Sequence, residues 1–368
     1  MFWKKEGEKA GSSKSKDNSK ENKDKAEEIK PISESLKKAI SPSNQPVLML
    51  RKVSKSYKDK LVLKDVDFDI FHKDIFGIIG MSGSGKTTIF QLMSGILNPQ
   101  SGDVLVRNDL LFDNKSDSPD YVSVLRNQSR VKQNFGFASQ IPSFYDHLTV
   151  EENLMFYGSL YGLKKKRIME NMEKLLRLVD LTEDRDSIAA ELSGGMQRRL
   201  DIACSLIHEP KMLFLDEPTS DLDPVMRKQI WRLIKQINSQ GTTIVIASHI
   251  LDEVEQLCTK VAILHDRKIL GHGTLKELKD MFKKGRIVKV MFDDNRYDAL
   301  RKKLKKVKGV ERTSEQDNEL IVFVSGDDLT IRRVIKAVES CKERLVSLDV
   351  SDSTLTEIFE RLTKKSDG

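Results

Sequence analysis

A glycine-rich loop between an apolar run and a helical pattern constrains the fold more than any other feature of this sequence. The run IFGII (75–79) precedes GMSGSGKT (80–87), which fits GxxxxGK[ST] in full, and TIFQLMSGIL follows. A strand before such a loop and a helix after it turn backbone N–H groups toward a phosphate, and the helix N-terminus adds positive potential. A dinucleotide-binding GxGxxG is excluded, because Thr88 stands where that motif needs Gly or Ala.

The loop predicts a nucleotide-phosphate site with a magnesium ion. We expect Lys86 to bridge the β- and γ-phosphates and the Thr87 hydroxyl to ligate Mg²⁺. The residues predicted to contact the nucleotide here are Gly80, Met81, Ser82, Gly83, Ser84, Gly85, Lys86, Thr87 and Thr88.

A second apolar run ends in two acids. Residues 211–218 read KMLFLDEP, and four consecutive apolar residues suit a central parallel strand that is covered on both faces. Asp216 at its carboxyl end is placed to hold Mg²⁺, directly or through water. Glu217 beside it is predicted to be the general base or to orient the attacking water.

Composition excludes several classes of protein. The 368 residues are 38% hydrophobic and 32% charged, with a net charge of +7. No apolar run approaches the ~18–20 residues that span a bilayer. Cys204, Cys258 and Cys341 lack metal-ligand or CxxC spacing, which fits a reducing cytosol.

The chain divides into three predicted regions. Residues 1–45 are lysine-rich and of low complexity, and we expect them to be disordered. Residues 46–282 alternate strands and helices, which predicts an α/β domain with a mainly parallel sheet, an antiparallel edge and an inserted helical subdomain at about 145–205. Within this subdomain, residues 150–180 are predicted to be helical throughout. Residues 285–368 follow a strand–helix–strand–strand–helix–strand rhythm with a closing helix, which predicts a small α+β, ferredoxin-like domain.

Further motifs stand in a fixed order between these landmarks. They are SKSYKDK around Tyr57, FGFASQIPS ending near Gln140, ELSGGMQ over 191–197, TSDLDP around Asp223, and the strand TTIVIAS before His249. With the phosphate loop and the acidic strand end, this order closely resembles the nucleotide-binding subunit of ATP-binding cassette (ABC) transporters over about 47–280. The resemblance implies the P-loop NTPase fold, ATP as substrate and Mg²⁺ as cofactor.

The resemblance also implies the remaining site residues. Tyr57 would stack on adenine, Gln140 would sense Mg²⁺, and His249 would contact the γ-phosphate. The signature residues Ser193, Gly194, Gly195 and Gln197, together with Asp223, would contact nucleotide as well. Catalysis is accordingly assigned to Glu217, His249 and Gln140, and the metal to Thr87, Gln140 and Asp216.

The signature predicts a dimer. Ser193 suits a helix N-cap, and Gly194 and Gly195 leave backbone N–H groups bare at the positive end of that helix. In the family this half-site completes the ATP site of the other protomer. We therefore expect a homodimer, or a dimer with a paralogous subunit.

The predicted function is ATP hydrolysis for a transporter whose membrane-spanning permease is a separate chain, so we expect the protein to be cytoplasmic and peripheral to the inner face of the membrane. LSGGM followed by QRR resembles the export branch. Two alternatives are a soluble ATPase acting on the ribosome or nucleic acid, and an importer ATPase with a regulatory C-terminal domain.

Three other segments carry predictions. The basic run RKKLKKVK (301–308) is read as the solvated face of a helix, and no nucleic-acid partner is expected. Ile141, Pro142, Phe144 and Tyr145 are predicted to form the surface on which the permease docks. The polar stretch 113–123 is predicted to be an extra surface loop.

Overall fold

The structure is a computed structural model that describes residues 45–112, 120–281, 286–316, 318–324, 328–341, 343–352, 355, 356 and 359. The predicted tail lies outside these residues except for residue 45, and the predicted domain boundary at 282–285 lies wholly outside them.

The strands are β1 Pro46–Tyr57, β2 Lys60–Phe71, β3 Ile75–Ile79, β4 Ser101–Arg107, β5 Tyr121–Ser123, β6 Phe135–Ala138, β7 Met212–Asp216, β8 Thr243–Ser248, β9 Lys260–His265, β10 Lys268–Thr274, β11 Arg286–Phe292, β12 Val310–Gln316, β13 Glu319–Val324 and β14 Leu345–Asp352. The helices are α1 Lys86–Met93, α2 Asn108–Leu111, α3 Gln128–Asn134, α4 Val150–Leu160, α5 Lys165–Val179, α6 Gly194–Leu206, α7 Pro224–Ser239, α8 Leu251–Leu257, α9 Leu275–Met281, α10 Asp298–Leu304 and α11 Asp328–Glu339. Short 3₁₀ turns cover Leu125–Asn127 and Ala189–Glu191.

A mainly parallel sheet forms the centre of the first domain, in the order β10-β9-β3-β8-β7-β6. The strands from β9 to β6 run parallel, and β10 pairs with β9 in antiparallel fashion at the edge. Their side chains alternate between two cores: Phe214 of β7 packs on one side of the sheet, and Leu213 and Leu215 pack on the other. Burial on both faces explains the continuous apolar runs of these strands.

An antiparallel sheet in the order β2-β1-β4-β5 covers one of these cores. Val66, Phe68 and Ile70 of β2 are buried, as the alternation in VDFDI predicts. The predicted loop over 113–123 is partly wrong, because residues 121–123 form β5 at the edge of this sheet. A three-residue strand carries too weak an alternation to be seen in the sequence. Residues 113–119 lie outside the described residues.

The helical subdomain is built from α4, α5 and α6. The expectation that 150–180 is helical throughout is wrong, because α4 ends at Leu160 and α5 begins at Lys165. Gly162 takes a left-handed φ of 76° in this break. Glycine adopts that conformation without steric cost, and it commonly ends helices.

The C-terminal domain has the sheet order β12-β13-β11-β14, with every neighbouring pair antiparallel. Its element order is β11, α10, β12, β13, α11, β14, so the first strand lies between the third and the fourth. This is the ferredoxin-like topology. Val288, Val290 and Phe292 of β11 pack under residues of the two helices. The predicted fold class is therefore confirmed.

The chain beyond β14 returns to the first domain. Leu355 is fully buried within that domain's core, and its N–H donates to Oε1 of Glu255 on α8 at 2.8 Å. Phe359 packs against the same core. Of the predicted closing helix, residues 355, 356 and 359 are described, and they are helical.

None of the helices in the described residues combines the length and the apolar character that crossing a bilayer requires.

Candidate functional site

The candidate site lies where the parallel strands end. Ile79 of β3 pairs with Ser248 of β8, Asp216 of β7 pairs with Ala247, and Ala138 of β6 pairs with Leu215. The segments that follow these strands therefore emerge at one edge of the sheet. This brings together the glycine-rich loop, the two acids, His249 and the Gln140 segment.

The glycine-rich loop is folded around its own lysine. Gly85 is the N-cap of α1 and has a φ of 111°, a backbone conformation that residues other than glycine rarely adopt. Lys86 is nearly buried, and its Nζ donates to the carbonyl oxygens of Gly80 at 2.9 Å and Met81 at 3.2 Å. Within the described chain, the buried hydroxyl of Ser84 has no hydrogen-bond partner. The loop thus presents a cation, a free hydroxyl and a helix N-terminus to an anion.

Glu217 connects the loop lysine to the histidine. Its Oε1 lies 3.3 Å from Nζ of Lys86, and its Oε2 lies 2.6 Å from Nδ1 of His249. Glu217 is 9% exposed, whereas His249 is 52% exposed. Glu217 has a left-handed φ of 49°, which is uncommon for a non-glycine residue and concentrates at functional sites. Its own N–H donates to Ala247 at 2.9 Å, which fixes this backbone to β8.

Asp216 and Thr87 form a pair that fits a magnesium ion. The Thr87 hydroxyl donates to Oδ2 of Asp216 at 2.9 Å. Oδ1 of Asp216 is buried and has no partner among the described residues. Burial raises the pKa of Asp216, and the Thr87 hydrogen bond and the Lys86 charge oppose that rise. Mg²⁺ prefers such oxygens and often takes only one or two protein ligands.

Gln140 is exposed two residues after β6, beside the strand that carries Asp216.

Tyr57 lies at the far end of the same site. It ends β1, is 44% exposed, and lines a cavity of about 900 Å³ together with Gly83 and Ser84 of the loop. Asp266 and Arg267 from the β9–β10 turn line it too. The structure therefore brings the aromatic ring next to the glycine-rich loop.

The signature residues stand apart from this loop. Ser193 caps α6 and accepts a hydrogen bond from the N–H of Met196 at 3.4 Å. Ser193 and Gly194 are exposed, and the Gln197 amide donates to the carbonyl of Ala189 at 3.1 Å. Across the described chain, no hydrogen bond or ion pair joins residues 193–197 to residues 80–88.

Asp223 is the N-cap of α7. Its Oδ1 accepts from the N–H groups of Val225 at 2.8 Å and Met226 at 3.0 Å. The predicted nucleotide-contacting acid is thus also a helix cap.

Sequence reasoning missed a buried arginine that joins three parts of the site. Arg198 of α6 donates to the carbonyls of Ser139, Pro218 and Asp216 at 2.7, 3.0 and 3.1 Å. It also pairs with Asp201 at 3.0 Å. Burial lowers the pKa of Arg198 and raises the pKa of Asp201, and each charge opposes the other's shift. A charged i,i+3 pair within an apolar helical stripe is a signal that could have revealed it.

Glu253 is a second missed residue. It is fully buried in the first turn of α8 and accepts hydrogen bonds from the hydroxyls of Thr219 and Ser248, both at 2.6 Å. Nε1 of Trp231 donates to it at 3.3 Å. Glu253 therefore joins the segment after Glu217 to the residue before His249.

The fold and the site together define a P-loop nucleotide hydrolase. Comparisons with known proteins narrow this class. Residues 63–220 match the ABC transporter family model. The chain is 30% identical to the Nod factor export ATP-binding protein I of Cupriavidus metallidurans, over 76% of this chain and 86% of that protein. It is 28% identical to the linearmycin resistance ATP-binding protein LnrL of Bacillus subtilis, over 87% of this chain and 99% of that protein.

A solved structure supports the same family. CbiO1 of Clostridium perfringens, described as part of the ABC transporter complex CbiONQ, is 27% identical with a TM-score of 0.56, over 63% of this chain and 90% of that one. The chain belongs to the ATP-binding subunits of ABC transporters. The predictions of family, of ATP as substrate and of an ATPase coupled to transport are confirmed.

Proposed function

We propose that this ATPase binds MgATP at the carboxyl edge of its parallel sheet and hydrolyses it with Glu217 as general base. The observation that carries the proposal is the position of the Glu217 carboxylate between Lys86 and His249, at 3.3 and 2.6 Å. A carboxylate placed there can take a proton from the attacking water while Lys86 binds the γ-phosphate. His249 orients the carboxylate and reaches the same phosphate.

Thr87, Asp216 and Gln140 would hold the magnesium ion. The partnerless Oδ1 of Asp216 supports this assignment. When bound, Mg²⁺ neutralises charge on the phosphate oxygens. Tyr57 would stack on the adenine, because it lines the cavity that continues from the glycine-rich loop.

The chain acts as a homodimer in this proposal. The N-terminus of α6 offers exposed backbone N–H groups at Ser193 and Gly194, and it is not bonded to the chain's own loop. Such a helix end is half of a phosphate site. A second copy in head-to-tail arrangement would supply the other half, with Gln197 and Asp223 supporting the segments that meet the nucleotide.

The permease would dock on an apolar patch beside the Gln140 segment, which would hold the protein at the cytoplasmic face of the membrane. The patch consists of Ile141, Tyr145, Phe156 and Leu160, which are 81%, 50%, 39% and 68% exposed. Phe144 was expected here too, but it is 9% exposed and packs in the core. Exposed apolar clusters of this kind mark interaction sites. Crosslinking from Tyr145→Cys to the permease, but not from the exposed Leu329→Cys, is the expected result.

Export is the direction that the relatives favour. One is named for Nod factor export and the other for linearmycin resistance, and both align over most of their length. The cargo of this chain would be chosen by its permease.

The central test is Glu217→Gln in the purified full chain. Phosphate release from MgATP should fall by about 10²–10⁴-fold, because an amide cannot accept the proton. Nucleotide binding should stay within about twofold of wild type, whereas Lys86→Ala should lose binding with the phosphate-paired charge. The matched control is Asp252→Asn, at an exposed position three residues after His249, and this variant should hydrolyse ATP at the wild-type rate. A Glu217→Gln turnover close to that of the control would remove Glu217 from catalysis.

A further inference from the structure

Positive side chains from two separate elements converge in the C-terminal domain. A cavity of about 580 Å³ lies between α10 with its following turn and α11. Its lining includes Lys303, Lys306 and Lys308 from the first element and Arg333 and Lys336 from the second. We call this the basic groove. Among the described residues that line it there is no acid and no aromatic ring.

The side chains of the groove cations differ in whether they have a partner. Lys303 donates to the carbonyl and hydroxyl oxygens of Ser340 at 2.5 and 2.8 Å, at the end of α11. Within the described part of the chain, no ion pair or hydrogen bond is found for the side chains of Lys306, Lys308, Arg333 or Lys336. Outside the groove, by contrast, Arg301 pairs with Glu315 at 2.6 Å and Arg286 with Asp328 at 2.7 Å.

The prediction that the run 301–308 forms only the solvated face of a helix does not account for this arrangement. A solvated face needs cations from one helix only, and these come from two elements that are distant in sequence. Water screens their mutual repulsion, so the groove is not strained. An anion with several charges would nevertheless make several charge-assisted hydrogen bonds there at once.

We propose that the basic groove binds a small soluble anion that carries two or more phosphate groups. Its volume is that of a small-molecule site. Two cations outside the groove, Arg301 and Arg286, are paired with acids, so they add little unpaired positive charge for a nucleic-acid backbone to follow. The lack of aromatic lining argues against base stacking as well. The C-terminal domain would then sense a phosphorylated metabolite.

Calorimetric titration of the full chain with sodium tripolyphosphate tests whether the basic groove binds such an anion. Saturating ADP is present so that the glycine-rich loop is filled. Wild type should bind one equivalent, and the affinity should fall at least tenfold in Lys306→Glu/Arg333→Glu. The matched control is Lys302→Glu/Lys305→Glu, which makes the same charge change in the same basic run at exposed positions outside the groove. It should change the affinity less than twofold.

Three results would overturn the proposal. The first is the absence of saturable binding to wild type. The second is an equal loss in both variants, which would indicate general charge attraction. The third is groove-dependent binding of a single-stranded oligonucleotide without binding of tripolyphosphate, which would make this a nucleic-acid surface. Thermal unfolding checks that each variant is folded, and Lys308→Gln/Lys336→Gln replaces the groove variant if it is not.

Discussion

Glu253 illustrates what a buried carboxylate does to the pH dependence of stability. Burial raises its pKa, and the hydrogen bonds from Ser248, Thr219 and Trp231 only partly oppose this. The folded chain therefore holds the proton more tightly than the unfolded chain does. The stability that this group contributes is fully present below its ordinary pKa of 4.5, and it is lost as the pH rises through the raised value.

Glu253→Gln should remove this dependence. The free energy of unfolding of wild type, measured relative to Glu253→Gln in urea, should decline as the pH rises from about 4.5 toward neutrality. Asp252→Asn, at the exposed neighbouring position, should track wild type at every pH. A wild-type-to-Gln difference that stays constant with pH would show that Glu253 keeps an ordinary pKa.

At the scale of elements, α6 is held by its buried ion pair. Arg198→Met leaves Asp201 charged without its partner and removes the donor to three carbonyl groups. Breaking a buried pair in this way costs about 3–5 kcal/mol of the free energy of unfolding. The double variant Arg198→Met/Asp201→Asn should recover part of this loss, because no unpaired charge remains buried.

The control for this pair is Arg167→Met on α5. Arg167 and its two partners, Glu170 and Glu209, are each about half exposed, and a surface pair of this kind contributes about 0–1 kcal/mol. Urea unfolding of all three variants measures the difference. A loss for Arg198→Met no larger than that for Arg167→Met would contradict the structural role of Arg198.

The sequence predicted those elements whose signals are local. The continuous apolar runs in IFGII and KMLFLDEP predict strands that are buried on both faces. The alternation in VDFDI predicts that Val66 lies on the core side, where it is found. The break at Gly162 was missed because apolar periodicity continues on both sides of it. Arg198 and Glu253 were missed because their partners come from distant segments that only the folded chain brings together.

At the scale of the whole molecule, the exposed α6 N-terminus predicts sites that form between two chains. Ser193→Arg places a bulky cation where a neighbour's phosphate would bind, and Lys86→Ala empties the loop. Each homodimer should be nearly inactive. A mixture should regain part of the ATPase activity, because a mixed dimer joins the intact loop of one chain to the intact signature of the other.

Titrating one inactive variant into the other measures this recovery. ATP-dependent formation of mixed dimers, followed by chromatography, is the second readout if both sites must act together. If the loop and the signature worked within one chain, every site in the mixture would stay broken. Neither activity nor mixed dimers would then appear.

The cysteine distribution makes the natural sequence suitable for site-specific labelling. Cys204 and Cys258 are buried, and Cys341 is partly exposed. Cys341 lies just after α11, with its Sγ 3.7 Å from Nζ of Lys303 in the basic groove. Burial raises the pKa of this thiol, so alkylation should be faster in mildly alkaline buffer. A fluorophore attached there would report on the groove without any engineered residue.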